Sequence, residues 1–306
     1  MLYPFSKTKT NILKSILPFV IILHHLSHKI DDGILAFFDD KDQYVLTIFF
    51  AISGYGLVTS YRNRQDYLNG FLKRSLIKLY VPYLLCLFFF TFYRYYYNIN
   101  VIDVLHEKGI CGLVPASWYI FVLSLFYLFF YFVFRYVKTN VLHKILFICI
   151  LVFIYYYLAK FSGVSYWRYM RCPAFCIGLL FAYYEDEIRV RINKWFAFFT
   201  SIVLLWLGSL KMQTLPIFVG GAFFLVVYIL PIGKENSVIS FFSKISLEMY
   251  LVQYIPIMLV LERLQISSTI SIILSVIILD IVLAIATHFL SNRIQLYISS
   301  MWHEKI

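Results

Sequence analysis

The chain has 306 residues, of which 61% are hydrophobic, 20% aromatic and 14% charged, with a net charge of +11. A soluble domain carries about 25% charged and 45–50% apolar residues, so cytosolic, secreted and disordered readings are excluded. Ten spans of about 20 residues would use roughly 200 residues and leave about 100 for loops. The chain therefore reads as an all-α, polytopic integral membrane protein that fills 1–306 as a single domain, with no appended soluble domain.

In chain order the apolar runs fall at 12–28, 43–60, 77–97, 117–137, 143–160, 172–184, 195–210, 212–231, 243–261 and 269–292. Each is predicted to be a membrane helix, because irregular backbone facing lipid cannot satisfy its polar groups. Blocks such as LCLFFFTFYRYYY (85–97) lack the period-2 alternation of a barrel. The basic residues lie between the runs. With the N-terminus inside, most of the 27 lysines and arginines, from Lys7 to Lys305, fall in cytoplasmic segments, while Lys29, Lys41, Lys108, Lys160, Arg168, Arg171, Lys211 and Arg263 fall outside. That bias predicts about ten spans with both termini cytoplasmic. It also points the charge at membrane lipid and not at nucleic acid.

The N-terminus has positive residues before an apolar run, as a signal peptide does, but no small-x-small cleavage site follows. His24, His25 and His28 interrupt the run, so it is read as a retained first helix. Cys86, Cys111, Cys149, Cys172 and Cys176 lack paired metal spacing and are read as small hydrophobes without a redox or metal role. No internal repeat is evident, which counts against inverted-repeat transporters. No phosphate-binding glycine loop, HExxH, GxSxG or paired CxxC set is present.

The strongest local feature is His24–His25 in LPFVIILHHLSHKIDD. With the helix starting near residue 12, His25 lies about 20 Å along it, in the outer half of a bilayer. An ionisable group at that depth defaults to a functional reading, and a pKa near neutrality suits a general base. The competing reading is an interfacial histidine bonded to water or a carbonyl. His28 and the acidic residues Asp31, Asp32, Asp39, Asp40 and Asp42 read as a solvated loop, and no metal is expected there. In TIFFAISGYGLVTS (47–60), Ser53 and Gly54 form a small-residue notch; such notches usually serve packing. The notch could also admit a thin ligand bonded by Ser53 or Tyr55. Lys73, Arg74 and Lys78 sit together at helical spacing, either as a positive-inside anchor or as a clamp for phosphates. In SYWRYMRCPAF (165–175), Arg168 and Arg171 violate the inside bias beside Trp167. They suit an oxygen-rich or anionic ligand, or an interfacial belt with snorkelling arginines. Trp118, Tyr119, Arg94 and Glu248 are further candidates that belts and buried bonds would equally explain.

Together these pieces resemble the acyltransferase-3 family of integral membrane acyltransferases. The order ILPFVIILHHLS (16–27), FFAISGYGL (49–57), YLNGFLKRSLIKLYVPY (67–83), SWYI (117–120), YWRYMRCPAFCIGLLFA (166–182) and SLEMYLVQ (246–253) carries the likeness over nearly the whole chain. The resemblance implies transfer of an acyl group, most often acetyl, from cytoplasmic acyl-CoA to a hydroxyl of an extracytoplasmic surface glycan such as O-antigen, capsule or exopolysaccharide. It places the essential histidine on His25, with His24 in a variable slot, and the FFxxSGY motif on Phe49, Phe50, Ser53, Gly54 and Tyr55. On that reading Ser53, Gly54, Tyr55, Lys73, Arg74 and Lys78 bind the donor. The acceptor, a glycan or lipid-linked saccharide, meets Trp118, Tyr119, Trp167, Arg168 and Arg171. The basic motif departs from the family's two arginines three apart, reading Arg74-xxx-Lys78. Gln253 stands where a histidine is common, so no catalytic role is expected of it. The resemblance implies a multi-pass protein of the cytoplasmic membrane that uses acyl-CoA as substrate and holds no tightly bound cofactor; whether it forms an oligomer is left open. Transfer by His25 as base and through a transient acyl-histidine both remain open. So do a glycan or lipid transporter (or flippase) and a non-catalytic scaffold.

Overall fold

The computed structural model describes residues 2–115, 117–210, 215–231, 233–264, 266 and 268–303. Lys211 and Lys305, which entered the charge pattern, lie outside the described residues. Every regular element among the described residues is helical.

Each apolar run of the sequence is a helix: α1 (Lys7–Ser27), α2 (Asp42–Asn63), α3 (Phe71–Tyr96), α4 (Trp118–Tyr136), α5 (Val141–Phe161), α6 (Pro173–Arg191), α7 (Lys194–Leu210), α8 (Leu215–Ile229), α9 (Ser237–Val252) and α10 (Thr269–His303). Six of these, α1 to α5 and α10, are long and apolar enough to cross a membrane, and α9 with its continuation Tyr254–Leu264 passes as one span bent by 52°. The protein is a multi-pass membrane protein, with six or seven spans by that measure among the described residues. The other three predicted spans are helical but do not meet it: α7 and α8 are short, and α6 carries Glu185, Asp186, Glu187, Arg189 and Arg191 in its second half.

The helix ends follow local chemistry. The side chain of Asn140 accepts from the His143 amide at 2.9 Å and caps α5. Pro173 opens α6, where its missing N–H leaves no helical bond unmade. At the far end of α8, Lys9 Nζ donates to the carbonyls of Val227 and Leu230 at 2.6 and 2.9 Å, taking up groups that a helix C-terminus leaves unpaired.

The chain forms two compact units from interleaved segments. The first comprises Met1–Leu13, Lys41–Leu72 and Leu125–Asn236. Its centre is the crossing of α2 with α6. A Cβ on Gly54 would lie 2.2 Å from the Phe175 carbonyl oxygen, and one on Gly178 would lie 1.9 Å from that of Ala51. Two glycines thus let the backbones meet, the close approach on which helix pairs in lipid depend. Phe126 packs on Phe175 and Phe50 beside this crossing, with ring centroids 5.0 and 5.8 Å apart.

The second unit comprises Lys14–Asp40, Lys73–Ser124 and Ser237–Ile306. In it α9 packs on α10, and Phe19 of α1 meets Phe242 of α9 edge-on at 5.3 Å. Arg94, a charge inside a span, donates to the carbonyls of Gly112 and Leu113 at 2.8 and 2.7 Å, so its burial is compensated by hydrogen bonds.

Candidate active site

The last turn of α1 carries the two histidines. Successive helical residues point about 100° apart, and the pair finds different partners. His24, 5% exposed, brings Nδ1 to 3.3 Å from the Phe38 carbonyl oxygen. His25 brings Nδ1 to 3.1 Å from the Tyr254 hydroxyl, with the two rings 4.6 Å apart. Tyr254 reaches that place because α9 stops at Val252 and the chain resumes as a helix at Tyr254 after a 52° bend. Pro256 has no N–H to offer the carbonyl of Val252 four residues before it, so the helix breaks there. At the break Gln253 is fully buried; its amide nitrogen donates to the Tyr250 carbonyl at 2.8 Å, and its Oε1 finds no hydrogen-bond donor among the described residues.

This arrangement suits proton transfer. The tyrosine oxygen can accept from Nδ1–H of His25, and the neutral ring then presents a lone pair at Nε2 as a general base. The loop after α1 is fastened nearby. Asp32 caps Gly33–Ala36 by accepting from the Ile34 amide at 2.8 Å, and it accepts from the Thr269 hydroxyl at 2.6 Å. These two bonds, the threonine's first, hold its carboxyl below the usual carboxylate range.

At the other end of the same stretch of α1 lies the basic group. Arg74 and Lys78 are exposed and Lys73 half-buried on the first turns of α3, and Lys14 of α1 is near enough to Lys78 to feel its charge. Lys14 is a fourth member that sequence reading counted only as an inside charge. From Lys14 to His25 is roughly 16 Å along the helix.

A model of the acyltransferase domain family matches residues 9–289. The chain belongs to the acyltransferase-3 family. No curated protein and no solved structure matches the chain.

Within this membrane acyltransferase the residues of the family-like motifs have the following partners. The side of Gly54 that lacks a side chain is filled by the backbone of α6. Ser53 donates back to the Phe49 carbonyl at 2.8 Å. Tyr55 is buried and donates to Glu185, whose other oxygen accepts from the Phe5 amide at 2.9 Å. FFAISGYGL is thus a packing segment of the first unit. Arg171 is 3% exposed and is held by Asp42 at 2.5 Å and by the Trp167 carbonyl at 2.6 Å. Its charge is balanced within the fold. Arg168 stacks its guanidinium 4.8 Å from the ring centre of Trp167, which is 38% exposed. Trp118 and Tyr119 are buried, the second edge-on to Tyr250 at 5.7 Å.

Three polar groups of the second unit went unread or half-read. Glu248, named only as a candidate, is buried and bonds His288 Nδ1 at 2.8 Å, and His288 Nε2 lies 2.9 Å from the amide of Asn292. Asp280 is fully buried, with neither oxygen bonded among the described residues. Its signal was an acid in the apolar run IILDIVL (277–283).

Proposed function

We propose that this acyltransferase moves an acetyl group from cytoplasmic acyl-CoA to a hydroxyl of an extracytoplasmic surface glycan. The observation that carries the reading is His25, held at Nδ1 by Tyr254 and lying one stretch of α1 away from the Lys14, Lys73, Arg74 and Lys78 group. The arm between the pyrophosphate and the sulfur of CoA is about as long as four residues of extended chain, or ~14 Å. Phosphates held at the basic group would therefore bring the thioester to His25, roughly 16 Å away along the helix.

His25 Nε2 takes the proton of the sugar hydroxyl as its oxygen attacks the thioester carbonyl. The C–O bond forms, the C–S bond breaks, and the imidazolium returns the proton to the departing thiolate. Tyr254 orients the ring, its oxygen accepting the hydrogen bond from Nδ1–H throughout. The exposed Trp167 and the half-buried Arg168 beside it offer the aromatic face and donor that a sugar ring favours. The charge bias supports ten crossings of the cytoplasmic membrane, with both termini inside.

The test is NMR of the host's surface glycan with wild type, with a deletion and with His25→Ala. Loss of acetyl signals from an otherwise intact polymer in both altered strains is expected, with the variant still inserted in the membrane. Normal acetylation by His25→Ala would overturn the assignment, and precursor stranded inside the deletion strain would indicate transport instead.

A further inference from the structure

His24, His28 and Asp39 converge at the C-terminal end of α1, one ligand atom from each lying within 4.8 Å of the others. None of the three is needed for the proton transfer described above. We propose that they form a binding site for a divalent transition-metal ion of the zinc type, clasping the last turn of α1 to the segment that follows the Gly33–Ala36 turn.

The donor set supports this. His24 lies in the last turn of α1 and His28 one residue past its end, where its amide still donates to the His24 carbonyl at 3.4 Å; the i, i+4 spacing is one at which two imidazoles can grip one ion, and their ring centroids are 4.5 Å apart. Asp39 supplies an anionic oxygen 3.5 Å from His28 Nδ1. Two imidazoles and a carboxylate, with water as fourth ligand, are a set that zinc accepts.

With His24 binding through Nε2, its other ring nitrogen would supply a second shell. The Phe38 carbonyl can only accept a hydrogen bond, so it selects the His24 tautomer with the proton on Nδ1. In the neutral ring Nε2 is then the lone-pair nitrogen. Such an outward bond from the other ring nitrogen is what fixes metal-binding histidines elsewhere. A tetrahedral zinc site with bonds of about 2.0–2.1 Å sets ligand atoms roughly 3.4 Å apart. The remaining closure falls to His28 and Asp39, whose side chains are 51% and 57% exposed and have room to turn. The two carboxylate-to-imidazole and carbonyl-to-imidazole contacts come from adjacent residues, Phe38 and Asp39, so one short segment supplies both a ligand and an orienting acceptor.

The experiment uses the full chain, purified in detergent without a histidine tag and dialysed against zinc. Wild type should retain about one zinc per chain. His28→Ala and Asp39→Asn should each bind zinc at least tenfold more weakly, with unchanged melting temperatures in the absence of metal, because both side chains are exposed. Cobalt(II) in the wild type should give the visible spectrum of a tetrahedral nitrogen–oxygen site, a readout that requires no variant. Absence of retained zinc in the wild type, or either variant holding it as tightly as wild type, overturns the proposal. The measurement reads binding alone, so it stands or falls separately from acyl transfer.

Discussion

The chemistry proposed at His25 turns on one hydroxyl. Tyr254→Phe removes it from Nδ1 while keeping the ring that packs 4.6 Å away. A hydrogen bond to a group that becomes charged contributes about 1.5 kcal/mol, so kcat should fall about tenfold. The KM for acyl-CoA should stay the same, because the proposed reading holds the donor's phosphates at the Lys14, Lys73, Arg74 and Lys78 group. Steady-state kinetics in purified protein checks this, and a KM change with kcat intact would remove Tyr254 from the positioning role. The same scale tests whether Arg171 serves the fold or the acceptor. Its guanidinium is buried against Asp42, so Asp42→Ala leaves a buried cation without its counter-charge. The cost is about 3 kcal/mol, read as a lower midpoint of thermal unfolding in detergent. Were Arg171 an acceptor ligand, the same variant would keep its stability and raise the acceptor KM instead.

Among the elements, the α2–α6 crossing gives the sharpest contrast. Gly54→Ala and Gly178→Ala each drive a methyl group onto a carbonyl oxygen of the facing helix. Backbone cannot swing aside as a flexible side chain can, so each should cost about 3 kcal/mol or more. Gly56→Ala, two residues along the same helix, meets nothing within 4 Å and should be neutral or slightly stabilising through its better helix propensity. Folded yield by size-exclusion fluorescence distinguishes the three, and equal behaviour of Gly54→Ala and Gly56→Ala would refute the crossing. That crossing shows what sequence makes visible at this scale. Helix positions were legible because lipid forces each apolar run to satisfy its own backbone. The SGY notch was legible as small, but whether helix or ligand fills it depends on which helix lies opposite. Hydropathy does not say. The break at Gln253 had a signal, Pro256, but a proline inside an apolar run marks a bend without telling which side chain the bend aims.

For the whole molecule, the legible part of the site was chemical type at short spacing: the paired histidines of α1 and the Lys73, Arg74, Lys78 group. Hidden were the contacts that give those residues partners. Tyr254 lies 229 residues from His25, and Asp42 and Glu185 lie 129 and 130 from Arg171 and Tyr55. Each depends on the order in which helices pack, and in a chain of uniformly apolar helices no pattern of charge or period ranks one neighbour above another. The packing does bring Lys14 to the basic group of α3, and this leads to a prediction that separates anchor from clamp. Arg74→Ala with Lys78→Ala removes two exposed charges. Each is worth about 0.5–1 kcal/mol toward phosphate in water, so the pair should raise the KM for acyl-CoA about tenfold with kcat nearly unchanged. The effect should shrink as salt rises, since screening weakens exposed charge pairs. Acyl-pantetheine has the same thioester and arm but no phosphates, and its KM should not respond to the double substitution. An anchor that only sets topology would leave both donors unaffected in correctly inserted protein, or impair both alike. Kinetics with the two donors side by side therefore decides whether phosphates are held at that end of α1.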